Sequence, residues 1–370
     1  MRRAELITDL AGLEPIRAGW DALAEQLGRP FSSPAWTLAW WRHAAPEGAE
    51  LRVIVVVDGD VVSGVAPFFA EGRRYRLLAS DASLGVEPLA VPGAERETIQ
   101  LTAAALAGAH PRPAIVELRG IREGSRWPRL LRETWPSRRR PALRRGRSMP
   151  LPMLELSGLT YEEWFASKSA HFRQRARHLH RGLVERGGRL RLADGEEDIA
   201  RGLKEFARLH QARWRTRGGS GALTVGVEQM LPDVARELDG EGRFRLWLVE
   251  VEDEVIGAGV RLAAGGEVSN WLVGFDEAWR DVNAPMLMMV ASIQDCIERG
   301  DRRIDLGGGR AELKSRVADH EESLEDYLLL PPGPLRPFVA ASLLPERLRR
   351  MVADHLPPGL KTRLKRLLRG

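Results

Sequence analysis

One pattern occurs twice in this chain, and it constrains the fold more than any other feature. Residues 51–69 read LRVIVVVDGDVVSGVAPFF and residues 244–262 read FRLWLVEVEDEVIGAGVRL. In each, an apolar run meets an acidic turn, Asp58-Gly59-Asp60 or Glu252-Asp253-Glu254, and a second β-branched run with small residues follows, Ser63-Gly64 or Gly257-Ala258-Gly259. Strand, tight polar turn and strand make a hairpin signature. The echo lies about 190 residues away, far beyond the ~20–50-residue period of a solenoid, so it predicts two copies of one domain. A chain of 370 residues has room for two domains.

The surroundings of the hairpins support a mixed α/β plan. A Trp-rich helical region precedes the first, with Trp20, Trp36, Trp40 and Trp41, and Ser33-Pro34 reads as an N-cap followed by the first helical residue. Residues 199–214 place Leu203, Phe206, Leu209 and Trp214 at helical spacing before the second. These aromatics read as core. Residues 127–152 are rich in proline and arginine and read as an irregular, solvated connector, giving a first domain over 1–150 and a second over 151–330. PPGPLRP at 331–337 is a further break. In the tail, 331–370, Leu360, Leu364, Leu367 and Leu368 share one helical face, with Lys361, Arg363, Lys365, Arg366 and Arg369 largely elsewhere. Such a helix either lies on an anionic membrane surface or packs back on its own domain.

Several function classes are disfavoured. The single cysteine, Cys296, allows neither an internal disulfide nor a cysteine zinc site, and its apolar surroundings make it a buried hydrophobe. No histidine has metal-like spacing, so no metal site is expected. The net charge of +5 is spread over separate arginine-rich segments without a DNA-recognition motif. No signal peptide is read at the N-terminus and no apolar run approaches the ~20 residues of a membrane span, so a cytoplasmic location, with possible contact at the inner face of the membrane, is expected.

The chemistry-bearing stretch follows the second hairpin. Residues 267–275 (EVSNWLVGF) form a strand, 276–284 a loop, and Pro285 opens a helix ended by Gly300. Arg303-Ile304-Asp305-Leu306 is a short strand before three glycines. The helix start at 284–288 would present N–H groups and a dipole to an anion. Earlier, Arg173, Arg177 and Arg181 are spaced by four and share one face of a basic helix over 168–186. That face suits an anionic acceptor, a nucleic-acid backbone or a lipid, or is simply solvated.

In order, the basic helix, Leu209-His210-Gln211-Ala212-Arg213-Trp214, the hairpin, the strand 270–275, Ala284-Pro285 and Ile304-Asp305-Leu306-Gly307-Gly308-Gly309 with Glu312 and Lys314 resemble the GNAT-related acetyltransferases of the CelD/BcsL type, assigned to cellulose or exopolysaccharide biosynthesis and related to FemAB-like aminoacyl transferases. The resemblance implies two tandem GNAT-like domains and direct acyl transfer from acetyl-CoA or another acyl-CoA to a sugar, polysaccharide precursor or amine. It casts Asp305, Glu312 and Lys314 as catalytic candidates, and Asn270, Trp271, Val273, Asn283, Ala284, Met286 and Leu287 as donor-binding. Arg173, Arg177 and Arg310 become acceptor-binding candidates. Asp305 either binds acceptor, acts as base or caps the glycine turn. The chain departs from the group at Leu313, where Tyr is usual, at Met286, where Gly commonly follows the proline, and in lacking an Arg/Gln-x-x-Gly-x-Gly/Ala loop. An aminoacyl-tRNA donor, or a catalytically degenerate pair acting as a binding module, are the alternatives.

Overall fold

A computed structural model describes residues 1–215 and 218–343; the amphipathic face at Leu360, Leu364, Leu367 and Leu368 lies outside the described residues. The first half runs β1 (Arg2–Ile7), α1 (Arg17–Leu27), α2 (Pro34–Ala44), β2 (Glu50–Asp58), β3 (Val61–Glu71), β4 (Arg74–Leu77), a two-residue β5 (Leu89–Ala90), α3 (Glu95–Gly108), β6 (Ile115–Arg122), α4 (Trp127–Thr134) and β7 (Ala142–Glu155). Two linking helices follow, α5 (Tyr161–Ser167) and α6 (Ala170–Glu185). The second half then repeats the plan: β8 (Arg189–Leu192), α7 (Glu196–Arg215), α8 (Val225–Leu238), β9 (Phe244–Val251), β10 (Glu254–Ala264), β11 (Glu267–Phe275), α9 (Ala284–Glu298), β12 (Arg303–Asp305), α10 (Glu312–Val317) and β13 (His320–Leu330), with α11 (Arg336–Ser342) after it.

The strands form one mixed sheet in the order β1-β2-β3-β4-β6-β13-β7-β12-β11-β10-β9-β8, with β5 on β3. The order is palindromic about its centre, as duplication requires, with one exchange. The last strand of each half crosses over. β7 pairs with β12 of the second half, and β13 pairs with β6 of the first. β7 and β13 then pair with each other along ten residue pairs.

The echoed hairpins are β2–β3 and β9–β10, and their likeness extends to single residues. Each ladder slips by one residue early in its second strand, at Ser63 and at Ile256. The glycine that follows sits beneath the corresponding helix. A Cβ on Gly64 would lie 2.2 Å from Thr98 of α3, and one on Gly257 would lie 2.5 Å from Ala284 of α9. Glycine is required because a side chain of the helix lies too close to leave room for a Cβ. Both hairpins are buried on both faces, which explains their nearly unbroken apolar runs.

Local signals read from the sequence are met in several places. Ser33 caps α2, its hydroxyl accepting from the Trp36 N–H, and Pro34 is the first helical residue. Trp20, Trp36 and Trp40 are buried, and so is Cys296, whose thiol burial pushes well above its usual range. The segment 127–152 corrects the expectation of an irregular connector: it contains α4 and most of β7. Trp127, Leu130 and Leu131 bury one face of α4, and the arginines of β7 remain at the surface while its backbone pairs with β13 along ten residue pairs. Pro150 and Pro152 stand in register opposite Ser323 and Glu321, and their carbonyls accept from the Gly309 and Leu306 N–H groups on the other side.

Replacing Gly257 with valine should lower stability by about 1–3 kcal/mol through overpacking against α9. A fall in the urea midpoint at unchanged m-value would show it; an unchanged midpoint would mean that α9 can yield at this contact.

Candidate functional site

β11 is held on both sides only at its start. Its partner β12 runs parallel to it for three pairs, ending at Ser269 opposite Asp305. Beyond that point the chain after β12 turns away through Gly307, and the β12-facing edge of β11 is released. On its other side β11 pairs with β10, but the register shifts between Gly259 and Arg261, so Trp271 and Leu272 form a bulge. A bulge at a released edge re-aims backbone amides out of the ladder.

A cleft of about 260 Å³ opens here, lined by Asn270, Trp271, Leu272, Asp305, Gly307 and Gly308 from the second half. The first half supplies the facing wall, Phe31 and residues 80–84, from the segment that follows β4. The junction is specific. The Trp271 Nε1–H donates to the Ala82 carbonyl at 2.8 Å, and its ring meets Trp36 edge-on at 5.1 Å. Trp36 in turn donates to the Ser83 hydroxyl at 2.9 Å.

Asp305 is buried at the floor of this cleft. Its Oδ1 accepts from the Gly307 N–H at 2.7 Å, and the Ser269 hydroxyl also bonds the carboxylate. Burial raises its pKa above the ordinary aspartate value, against the lowering influence of Arg122, the two hydrogen bonds and Lys314. Lys314 is half-buried, and its Nζ donates to the carbonyls of Gly307 and Gly308 at 2.8 and 3.0 Å. Burial lowers its pKa, with Asp305 opposing. Lys314 therefore fixes the glycine turn behind Asp305. The Asn270 Oδ1 is buried in the same cleft without a hydrogen-bond partner among the described residues, an acceptor awaiting a donor.

Not every residue singled out from the sequence gathers here. Asp305, Lys314, Asn270 and Trp271 do. Glu312 is exposed and paired with Arg316, and Arg310 is exposed and paired with Glu321 at 2.7 Å, so neither reaches the cleft. Arg173 and Arg177 lie on α6, against the opposite face of the sheet. Side-chain parity explains the separation: Asp305 faces the cleft, while its neighbours Ile304 and Leu306 point into the core beneath α5, α6 and α9. Met286 and Leu287 are buried on that second face too, and Val273 packs beside them.

The start of α9 also differs from expectation. Asn283 adopts left-handed backbone at φ 53° and makes no side-chain cap. The Met286 and Leu287 N–H groups both donate to the Asn283 carbonyl, and Pro285 has none. Of the amides expected to face an anion, that of Ala284 is the one this arrangement leaves over. Ser269, the 80–84 wall and Arg122 were missed in the sequence. Only Ser269 carried a signal, through its register opposite Asp305; the others arrive from distant segments.

Residues 170–315 match the family described as Acetyltransferase (GNAT) domain. The fold is thus the GNAT fold, present in tandem. Solved structures agree at the level of fold. FemX superposes with a TM-score of 0.61 at 13% identity, over 87% of this chain and 98% of that one. L-PGS from Bacillus licheniformis gives 0.55 at 10% identity, over 88% and 94%. A tandem GNAT protein from the clavulanic acid biosynthesis pathway gives 0.50 at 13% identity, over 90% and 100%. No curated protein matches the chain in sequence. Among the described residues, no helix is long and apolar enough to cross a membrane.

Asp305→Asn separates stability from chemistry. Because the folded carboxyl holds its proton to higher pH than the unfolded one, wild-type stability falls as pH rises from the ordinary carboxylate range to the raised folded value. The variant should be at least as stable as wild type at pH 8, with the difference shrinking toward pH 4, and should lose turnover by roughly 10²-fold or more. Melting temperature against pH, read beside activity, checks both; full turnover would remove Asp305 from the reaction.

Proposed function

We propose that the second half transfers an acyl group from an acyl-CoA to a small amine or hydroxyl acceptor bound between the halves. The supporting observation is the meeting, in one cleft, of a released strand edge, a backbone bulge, a buried carboxyl with raised pKa and an Asn270 oxygen without a partner among the described residues. A bound acyl thioester supplies an activated carbonyl and a thiol leaving group. The edge of β11 past Ser269 would receive the donor's amide-bearing arm as a strand receives a peptide. The amides at Trp271 and Leu272 would face the carbonyl oxygen as charge develops there. Asp305 would take the proton released by the acceptor as the new C–N or C–O bond forms. Asn270 would accept from a donor group of the acceptor or the arm.

The resemblance to the CelD/BcsL-type enzymes favours a sugar or polysaccharide precursor as acceptor. The Trp271 and Phe31 surfaces in the cleft suit a sugar ring. The basic tail would then hold the protein near an anionic membrane surface where such precursors are used.

The start of α9 favours a second reading. With so few amides left over, it is a poor cradle for a pyrophosphate, and an aminoacyl-tRNA donor, which brings no CoA pyrophosphate, makes no demand on it. Thermal shift and isothermal titration with acetyl-CoA, longer acyl-CoA and free CoA decide between them. At 100 times its dissociation constant a ligand stabilises the fold by about 2.7 kcal/mol, which is easily seen. Stabilisation by acyl-CoA supports the first reading. No shift with any CoA species would sink it, and binding of charged tRNA in its place would install the second; binding of saccharide alone, with neither donor, would mark a non-catalytic module.

A further inference from the structure

On the face of the sheet opposite the cleft, α5, α6 and α9 border a groove of about 1010 Å³. Its floor is apolar: Leu190, Trp247, Met286, Leu287, Val290 and Ala291. Along α9 it runs from Met286 to Glu298, about 18 Å at 1.5 Å per residue. The α6 wall is cationic. Arg173 is turned to the Ala166 and Lys168 carbonyls, but Arg177 and Arg181 are exposed at the lip with no ion pair among the described residues, and His180 stands beside them. Arg177 lies over the Phe165 ring at 5.3 Å, which holds it at the groove. The acids on the other side are partly occupied: Asp295 pairs with Arg299 and Arg245, and Glu298 accepts from Gln294, while Glu162 completes the lining. Trp247 is buried in the floor, its Nε1–H without a hydrogen-bond partner among the described residues.

A long apolar floor, guanidinium groups along one lip without an ion pair among the described residues and a buried indole N–H describe a receptor for one kind of molecule. We propose that this groove binds a single-chain anionic amphiphile, an aliphatic chain carrying a phosphate or carboxylate head, with the chain along α9 and the head at Arg177 and Arg181. The site is separate from the acyl-transfer cleft. Leu246 and Leu248 of β9 face the core shared with the cleft, and Trp247 between them faces the groove. The arginine face that the sequence offered as acceptor-binding is thereby assigned to a different ligand.

The test is isothermal titration of the full chain with octyl, decyl and dodecyl phosphate, each below its micelle concentration, and with inorganic phosphate. Affinity should rise about fourfold per added methylene as apolar surface is buried. Arg177→Gln with Arg181→Gln should weaken dodecyl phosphate at least tenfold. Ala291→Trp, which places an indole across the floor, should abolish binding while the urea midpoint stays within error of wild type. Asp305→Asn should bind dodecyl phosphate like wild type, whatever it does to transfer. Affinity independent of chain length, equal binding of inorganic phosphate, or undiminished binding by both variants overturns the proposal. Binding to anionic vesicles without binding of the monomeric amphiphile overturns it as well, in favour of a membrane-docking face. Should Ala291→Trp fail to fold, the arginine variants and the chain-length series still decide.

Discussion

The pairing of β7 with β13 at the centre of the sheet is the constraint on which the rest of the molecule depends. Each strand ends one half of the duplicated chain and completes the other, so the two hairpin systems are joined by backbone hydrogen bonds rather than by side-chain contact alone. Side chains reinforce the joint. Glu267 of β11 is buried and accepts from Arg122 of β6 and Arg303 of β12, and Arg303 also reaches Glu322 of β13 at 3.1 Å. Burial and the nearby Arg29 hold the Arg122 guanidinium down to about 10, a sign of how dry this junction is. Breaking one partner of such a group would leave an uncompensated charge inside the protein.

Duplication with exchange explains why the halves are not equivalent. Both contain a short parallel pair, β4–β6 and β11–β12, each three pairs long. In the first half, the chain leaving β4 keeps to β3 for one more residue, its Leu78 N–H bonding to the Pro67 carbonyl, then turns, the Ser80 N–H bonding to the Leu77 carbonyl, and continues as the 80–84 segment. In the second half the corresponding edge stays open, and it is that same 80–84 segment that walls it. The first half has therefore become part of the second half's site. A small set of contacts, Trp271 to the Ala82 carbonyl and to the Trp36 ring, sets the distance between them.

The sequence revealed whatever depends on neighbours along the chain. The two hairpins, the Ser33 cap, the helix opened at Pro285 and the short strand ending at Asp305 all follow from local pattern and turn chemistry. What it hid depends on strand partners. Residues 127–152 look irregular because β7 is polar on its exposed side and carries prolines, and only its partners β12 and β13, far along the chain, make it a strand. The basic face of α6 looks like part of the reaction site because spacing gives a helical face but not the side of the sheet it covers. Asn270 was singled out, yet its lack of a partner is a property of the assembled cleft.

The exchange also has a consequence in time. β6 finishes at residue 122, but its second neighbour, β13, is not complete until residue 330. At a synthesis rate of about 5–20 residues per second, the edge of β6 stays unpaired for roughly 10–40 s on the ribosome. Unpaired edges recruit other strands, and charged residues on the edge are the usual protection. β6 carries Glu117, Arg119 and Arg122 within eight residues, with a left-handed glycine at 120. Read this way, those charges shield a waiting strand from the nascent chains around it before they serve the finished sheet.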